Sequence, residues 1–342
     1  MSGETKHPRI PFEKIRTIPR KERAWKVSRR DFAKPLSPGA GVAELLDSLP
    51  RVYAADGLRE TVRAIARAHA KSAPVIALVG AHVVKCGLGP LLCEMVRRKV
   101  ITTIALNGAG AIHDYEVARW GETSENVDAT LVEGTFGLID ETGREMNALF
   151  AEGARMEMGM GEALGAGLAR ARARFAADSL LAAAHEARIP VTVHVALGTD
   201  VIHQHPTARG DLIGALTMED FRILGAAVAQ LRAGSVVLNI GSAVVLPEVF
   251  LKCVSSARNL GHPVTGFTAV NLDMIQHYRP QENVLRRPTL GGGRAIALTG
   301  HHEIMVPLLA ACVFSEIERE SGRKTLRSRP GGGKRAARKE AD

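Results

Sequence analysis

Two stretches decide the fold: Val75-Ile76-Ala77-Leu78-Val79-Gly80-Ala81-His82, and after it Ile101-Thr102-Thr103-Ile104-Ala105-Leu106-Asn107-Gly108-Ala109-Gly110. Each is a short apolar, partly β-branched run that stops at a glycine turn. Neither alternates apolar with polar residues, so each reads as a strand buried on both faces. A helical pattern over Leu88–Arg98 lies between them, and another over Ala111–Arg119 follows. The same alternation continues outward. Helices are expected over Glu162–Ala187, Met218–Arg232, Pro247–Asn259 and Glu303–Glu318, with strands over Val191–Leu197, Ser235–Ile240, Val264–Val270 and Ala295–Leu298. Strands alternating with helices imply an α/β fold: a parallel sheet with helices on both faces.

No internal linker or repeat interrupts this pattern, so residues 39–320 read as a single domain. Residues 1–38 form a basic, proline-interrupted arm. Residues 321–342 form a basic tail too poor in apolar side chains to offset the entropy of ordering, so disorder is expected there.

Charge supports that division. The chain has 342 residues, 45 Lys+Arg, 36 Asp+Glu and a formal charge of +9. Residues 1–35 hold eleven basic and four acidic residues, a net +7. Residues 323–342 hold eight and two, a net +6, which leaves the body at −4. A nucleic-acid-binding body would carry the positive charge itself. Aromatics make up only 4%, too few for base-stacking platforms. There is no signal-peptide h-region, and no uncharged apolar run of about 18 residues, so neither secretion nor membrane insertion is expected. The four cysteines, Cys86, Cys93, Cys253 and Cys312, are dispersed among apolar residues and read as reduced thiols of a cytoplasmic protein.

In open α/β sheets ligands bind beyond the carboxyl ends of the strands. Those ends carry Gly80-Ala81-His82, Asn107 through Asp114, Gly198-Thr199-Asp200 with His203 and His205, Gly241-Ser242, Asn271 with Asp273, and Gly300-His301-His302-Glu303. Six of the 12 histidines fall in these turns, which marks that edge as a ligand site. Glycine turns opening into helices favour phosphate oxygens and suggest a dinucleotide, although no strict GxGxxG is present. His203, His205, His301, His302 and Glu303 are metal-ligand types. Adjacent His301 and His302 do not readily face one metal, however, and acid–base or hydrogen-bonding roles are the preferred reading.

The run from Val79 to Gly87 and the run from Leu106 to Asp114 resemble the deoxyhypusine synthase family and its bacterial relatives. So do Thr123-Ser124-Glu125, Gly134-Thr135-Phe136-Gly137, Glu141-Thr142, Thr268-Ala269 with Asp273, and Arg279-Pro280. The resemblance covers about residues 40–318. It implies a Rossmann-like fold, NAD as cofactor, a polyamine or related small cationic amine as substrate, and a homotetramer built from dimers. On the cofactor side it implies roles for Ala81, His82, Gly108, Ala109, Gly110, Asp200, Gly241, Thr268, Ala269 and Asp273, to which the strand ends add Asn107 and Ser242. His113, Asp114, His301, His302 and Glu303 become the expected catalytic groups, with His203 and Glu282 as substrate contacts. The family's imine-forming lysine is missing: Pro288 stands where it should be and Arg286 where its tryptophan should be. Proline carries no nucleophile and arginine stays protonated, so the standard imine route is not expected. Two alternatives follow from this loss. Lys85, near the same edge, is a relocated nucleophile in one, and the chain is a catalytically silent NAD-binding regulatory subunit in the other.

Overall fold

The computed structural model describes residues 7–327. Six parallel strands form one open sheet: β1 (Val75–Val79), β2 (Thr103–Asn107), β3 (Val191–His194), β4 (Val236–Ile240), β5 (Thr268–Asp273) and β6 (Arg294–Thr299). Their spatial order is β3-β2-β1-β4-β5-β6. The chain winds outward from β1 to β3, then returns to β1's other side for β4. The switch point of this Rossmann-like topology therefore lies between the carboxyl ends of β1 and β4, where Val79 pairs with Ile240.

The lack of alternation in β1 has a direct cause. Val75, Ala77 and Val79 pack into a cluster with Val62 and Ile65 of the helix Tyr53–Ala70. Ile76 and Leu78 face the other way, onto Leu224, Phe250 and Phe267. Both faces are covered, so every strand position is apolar. Burying a residue of this size contributes about 1.5–3 kcal/mol.

Three expected elements differ from the structure. The Ala-rich run at 162–187 is two helices, Met160–Arg170 and Leu180–Ala187. Helix propensity favours one rod, but Arg172 takes a left-handed φ of 48° and Ser179 caps a new start. The expected strand at Val264–Val270 begins only at Thr268, because Val264 (φ 41°) and Gly266 (φ 72°) make a turn. The last helix starts at His302 and runs to Arg327, past the expected end at Glu318. The expected disordered tail falls largely on residues 328–342, outside the described residues. Helices Tyr53–Ala70, Val127–Glu133 and Asp140–Arg155 had no counterpart among the expected elements.

No helix among the described residues is long and apolar enough to cross a membrane. All four cysteines are unbridged, and Cys93, Cys253 and Cys312 are buried.

Candidate functional site

Two groups of side chains gather at the carboxyl edge. The first lies over β2 and β3. Helix Gly108–Trp120 leaves β2 and carries His113 and Glu116 one turn apart. Both line a cavity of about 240 Å³ that also includes Lys85, Glu125, Phe136 and Asp200. A neighbouring cavity of about 520 Å³ shares Glu116, Ser124, Glu125 and Ile139, and adds Glu122 and Glu141. The two form one cleft with five carboxylates and a single lysine.

His113 and Glu116 are joined through a hydroxyl. Thr123 Oγ1 donates to Glu116 Oε2 at 2.5 Å, and His113 Nδ1 lies 2.7 Å from the same Oγ1. The hydroxyl's only proton goes to the carboxylate, so Nδ1–H must donate to the hydroxyl oxygen. A neutral His113 therefore presents an unprotonated Nε2. Thr142 Oγ1 donates to Glu116 Oε1 at 3.1 Å. Burial works against the Glu116 charge, but the bonds from His113, Thr123 and Thr142 outweigh it and hold its carboxyl below the usual range.

Asp200 is 8% exposed and sits against the start of helix Gly108–Trp120, where the Ala109 N–H bonds it. Burial pushes its carboxyl up to about 6. Its Oδ2 has no hydrogen-bond partner, and neither does the buried Nε2 of His203, which lies 3.8 Å away. His203 Nδ1 accepts from the amides of Gly198 and Asp200, so its role is to shape this loop. A Cβ on Gly108 would overlap the Asp200 carboxylate. The anion seat at this helix start is thus already filled by Asp200. Asp200 occupies the space in front of Gly108 that a pyrophosphate would take. Asn107 caps the same helix, its side-chain oxygen accepting from Gly110 N.

The second group lies at the β1/β4 switch point. The turns after the two strands touch, since a Cβ on Gly80 would overlap the Gly241 carbonyl. Gly241 has φ 68°, and a Cβ there would fall 2.7 Å from His302 Nε2. His302 is 1% exposed, and its Nε2 is 3.6 Å from Asp273 Oδ1. Burial lowers its pKa, and Asp273 opposes that shift. His82 stacks edge-on at 5.9 Å and also approaches Cys86 Sγ at 3.4 Å. Ser242 is buried alongside, its carbonyl accepting from Asn239 Nδ2. His302 Nδ1 is buried without a partner. Helix Ala81–Lys85 leaves the first of these turns. The two glycine turns thus pack directly against one another, with the orphaned His302 Nδ1 beside them.

The remaining expected residues lie elsewhere. Asp114 is fully buried: its carboxylate accepts from Ser179 Oγ (2.5 Å), Leu180 N (2.7 Å) and Leu181 N (3.0 Å), pinning the start of helix Leu180–Ala187. It faces the core, because positions offset by two on a helix point to different sides. Thr268 and Ala269 begin β5, at the end of the strand opposite Asp273, since the turn at Val264–Gly266 delays the strand. Glu282 is paired with Arg286 and Arg287. His301 and Glu303 point into solvent, 3.7 Å from one another. Pro288 is buried in a short helical turn. Among the described residues, no three His, Cys, Asp or Glu side chains converge as a metal site.

Glu116, Glu122, Glu125 and Glu141 were not among the expected site residues. The signal for the last three was a run of six carboxylates over 122–141 with no lysine or arginine.

No protein-family model and no curated protein matches the chain. Among solved structures, a conserved LOR/SDH protein from Methanococcus maripaludis S2 superposes with TM-score 0.50 at 16% identity, over 83% of this chain and 72% of the other. Unliganded AgrE superposes with TM-score 0.50 at 11% identity, over 76% of this chain and 32% of AgrE. The chain thus spans about a third of AgrE's length. A protein described as a deoxyhypusine synthase from Entamoeba histolytica gives 0.49 at 13% identity, over 81% and 94%. The first two likenesses establish the fold.

Proposed function

We propose that this chain is an NAD-dependent enzyme acting on a small cationic amine, of the deoxyhypusine synthase-like kind and assembled as a homotetramer. The observation that carries the reading is the cleft at the carboxyl edge. Five carboxylates, Glu116, Glu122, Glu125, Glu141 and Asp200, surround a space large enough for a linear diamine. A cation gains there from several charges at once. AgrE, which shares this fold, is recorded in a complex with ornithine and NAD+.

NAD would be held by the turns at Gly80-Ala81-His82 and Gly241-Ser242, beside His302 and Asp273. Bound there, NAD supplies a hydride acceptor for a carbon next to nitrogen. The protein's own groups do the rest. Glu125 and Asp200 bind the ammonium ends. His113, oriented through Thr123 by Glu116, offers its Nε2 to take a proton from the reacting amine, which must be neutral before it can be oxidised.

A second reading is favoured by one placement. Lys85 lines the same cavity as His113 and Asp200, so a nucleophilic amine is available although position 288 is proline. Borohydride trapping with NAD and spermidine separates the two: an adduct on Lys85 supports the relocated imine, and no adduct supports direct transfer. Calorimetric titration with NAD and with putrescine tests the primary reading, followed by NADH absorbance on mixing both. Binding of both with NADH formation is expected. Absence of NAD binding overturns the enzyme reading.

A further inference from the structure

We infer that the outer half of the acidic cleft selects an alkylated ammonium, with the indole of Trp120 as the wall that reads it. This rests on the proposed amine reading and narrows it. The inner end of the substrate is a free amine, and the outer end is a cation carrying methyl or larger alkyl groups.

The two cavities of the cleft differ in chemistry. The inner one, of about 240 Å³, contains His113, Lys85 and Asp200. Asp200 is buried in its wall with Oδ2 lacking a hydrogen-bond partner, which marks the cleft independently as a place for a ligand. The outer one, of about 520 Å³, adds Trp120, Glu122 and Glu141, and no basic side chain lines it.

Trp120 is fixed in place. It is the last residue of helix Gly108–Trp120, which Gly121 stops at φ 78°. Tyr115 is buried and packs edge-on against the indole, with ring centroids 6.3 Å apart. Tyr115 and Arg119 are both tied to Glu145, at 2.9 Å and 3.0 Å. Arg119 Cζ lies 5.8 Å from the Trp120 ring centroid, yet Arg119 does not line the cavity and Glu145 answers its charge. The indole is still 37% exposed, and Ile139 in the same wall is 43% exposed. A large ring held rigidly at a cavity wall, outside the core, offers its face to a ligand.

The carboxylates beside it are not equally free. Both oxygens of Glu116 accept from hydroxyls, and Glu125 Oε1 accepts from Gly137 N at 2.8 Å. Among the described residues, Glu122 and Glu141 are in no side-chain hydrogen bond and no ion pair. They bring uncommitted negative charge to the side of the cleft that has the indole.

Charge and ring together specify the ligand. An aromatic face attracts a cation through its quadrupole, and the attraction grows as the cation sheds water. A primary ammonium holds its water through three N–H donors. Alkyl groups in place of those hydrogens leave the charge for Glu122 and Glu141, weaken the hydration, and give Trp120 and Ile139 apolar surface to cover. An uncharged apolar ligand would use the indole and leave the carboxylates unanswered. A metal ion would leave the indole idle, and no three His, Cys, Asp or Glu side chains among the described residues converge to hold one.

The test uses the full chain carrying Trp25→Phe, which leaves Trp120 as its one tryptophan. Its emission is followed during titration with putrescine and with (4-aminobutyl)trimethylammonium, which share chain length and charge. The methylated amine is expected to change the emission and to bind roughly threefold to thirtyfold more tightly, the span of a cation–π contact. Trp120→Leu, followed by calorimetry, is expected to erase that ratio, and Trp120→Phe to keep part of it. Equal binding of the two amines with unmoved emission would overturn this inference and leave the amine reading standing. A ratio that survives Trp120→Leu would also overturn it, since the indole would then not be the selecting wall. Binding of neither amine would overturn the amine reading and this inference together.

Discussion

Asp114→Ala separates a structural carboxylate from a catalytic one. In the structure Asp114 accepts from Ser179 Oγ, Leu180 N and Leu181 N, all buried. Truncation strands these three donors. A buried donor left unsatisfied costs about 1–3 kcal/mol, so stranding all three should cost about 3–9 kcal/mol, a large part of a typical domain's stability. Asp114→Asn keeps the shape and adds a pH signature. Burial pushes the Asp114 carboxyl up to about 6 from 3.8. Folding thus favours its protonated form. The associated stability is fully present below the unfolded value and is lost as pH rises through about 6. A two-unit shift corresponds to roughly 3 kcal/mol at most. Urea unfolding of wild type and Asp114→Asn, repeated across that window, should show a difference that changes with pH in this sense. Putrescine affinity, measured on folded protein, should be unchanged. A variant with wild-type stability and lost ligand binding would refute the placement of Asp114 in the core.

Gly241→Ala should lower stability by about 1–3 kcal/mol through overpacking and left-handed strain, and His302→Ser added to it should recover part of the melting temperature, since His302 Nε2 is the atom in the way. Glu116→Gln should reduce kcat/KM for the amine about tenfold or more with little change in melting temperature, because it removes the charge that orients His113 through Thr123; an unchanged kcat/KM counts against the relay. Asp220, fully buried beneath Gly161 N and Val193 N, has its carboxyl pushed up to about 8 by burial. Wild type should therefore lose stability relative to Asp220→Asn as pH rises from about 4 to about 8, measured by thermal unfolding, and parallel curves would contradict this.

The sheet was legible because its strands are buried on both faces. Val75–Val79 and Ser235–Ile240 admit no reading but a short buried strand, and the turns that follow them must lie on one edge. The long helix at 162–187 was misread because alanine content reports local propensity. The break at 171–179 depends on Asp114, more than fifty residues earlier in the chain, whose carboxylate offers the second helix its start. Thr268 and Ala269 were placed at the cofactor by the family resemblance, and the strand holding them was read as beginning at Val264. Two left-handed residues moved the strand along the chain, and the pair with it to the far edge. Asp200 was correctly read as an edge residue, but its occupation of the Gly108 helix start is a tertiary contact with no local trace. The acidic wall of the cleft comes from a segment with little helical or strand periodicity, so pattern reading passed over it.

The account rests on a division of the carboxyl edge: dinucleotide at the β1/β4 switch point, amine in the acidic cleft over β2 and β3. A crystal structure of the protein with NAD and putrescine tests it most directly. The account predicts NAD density against Gly80, Gly241 and His302, and diamine density between Glu116, Glu125 and Asp200. NAD phosphates seated at Gly108 with Asp200 displaced, or an acidic cleft that binds no amine, would contradict it.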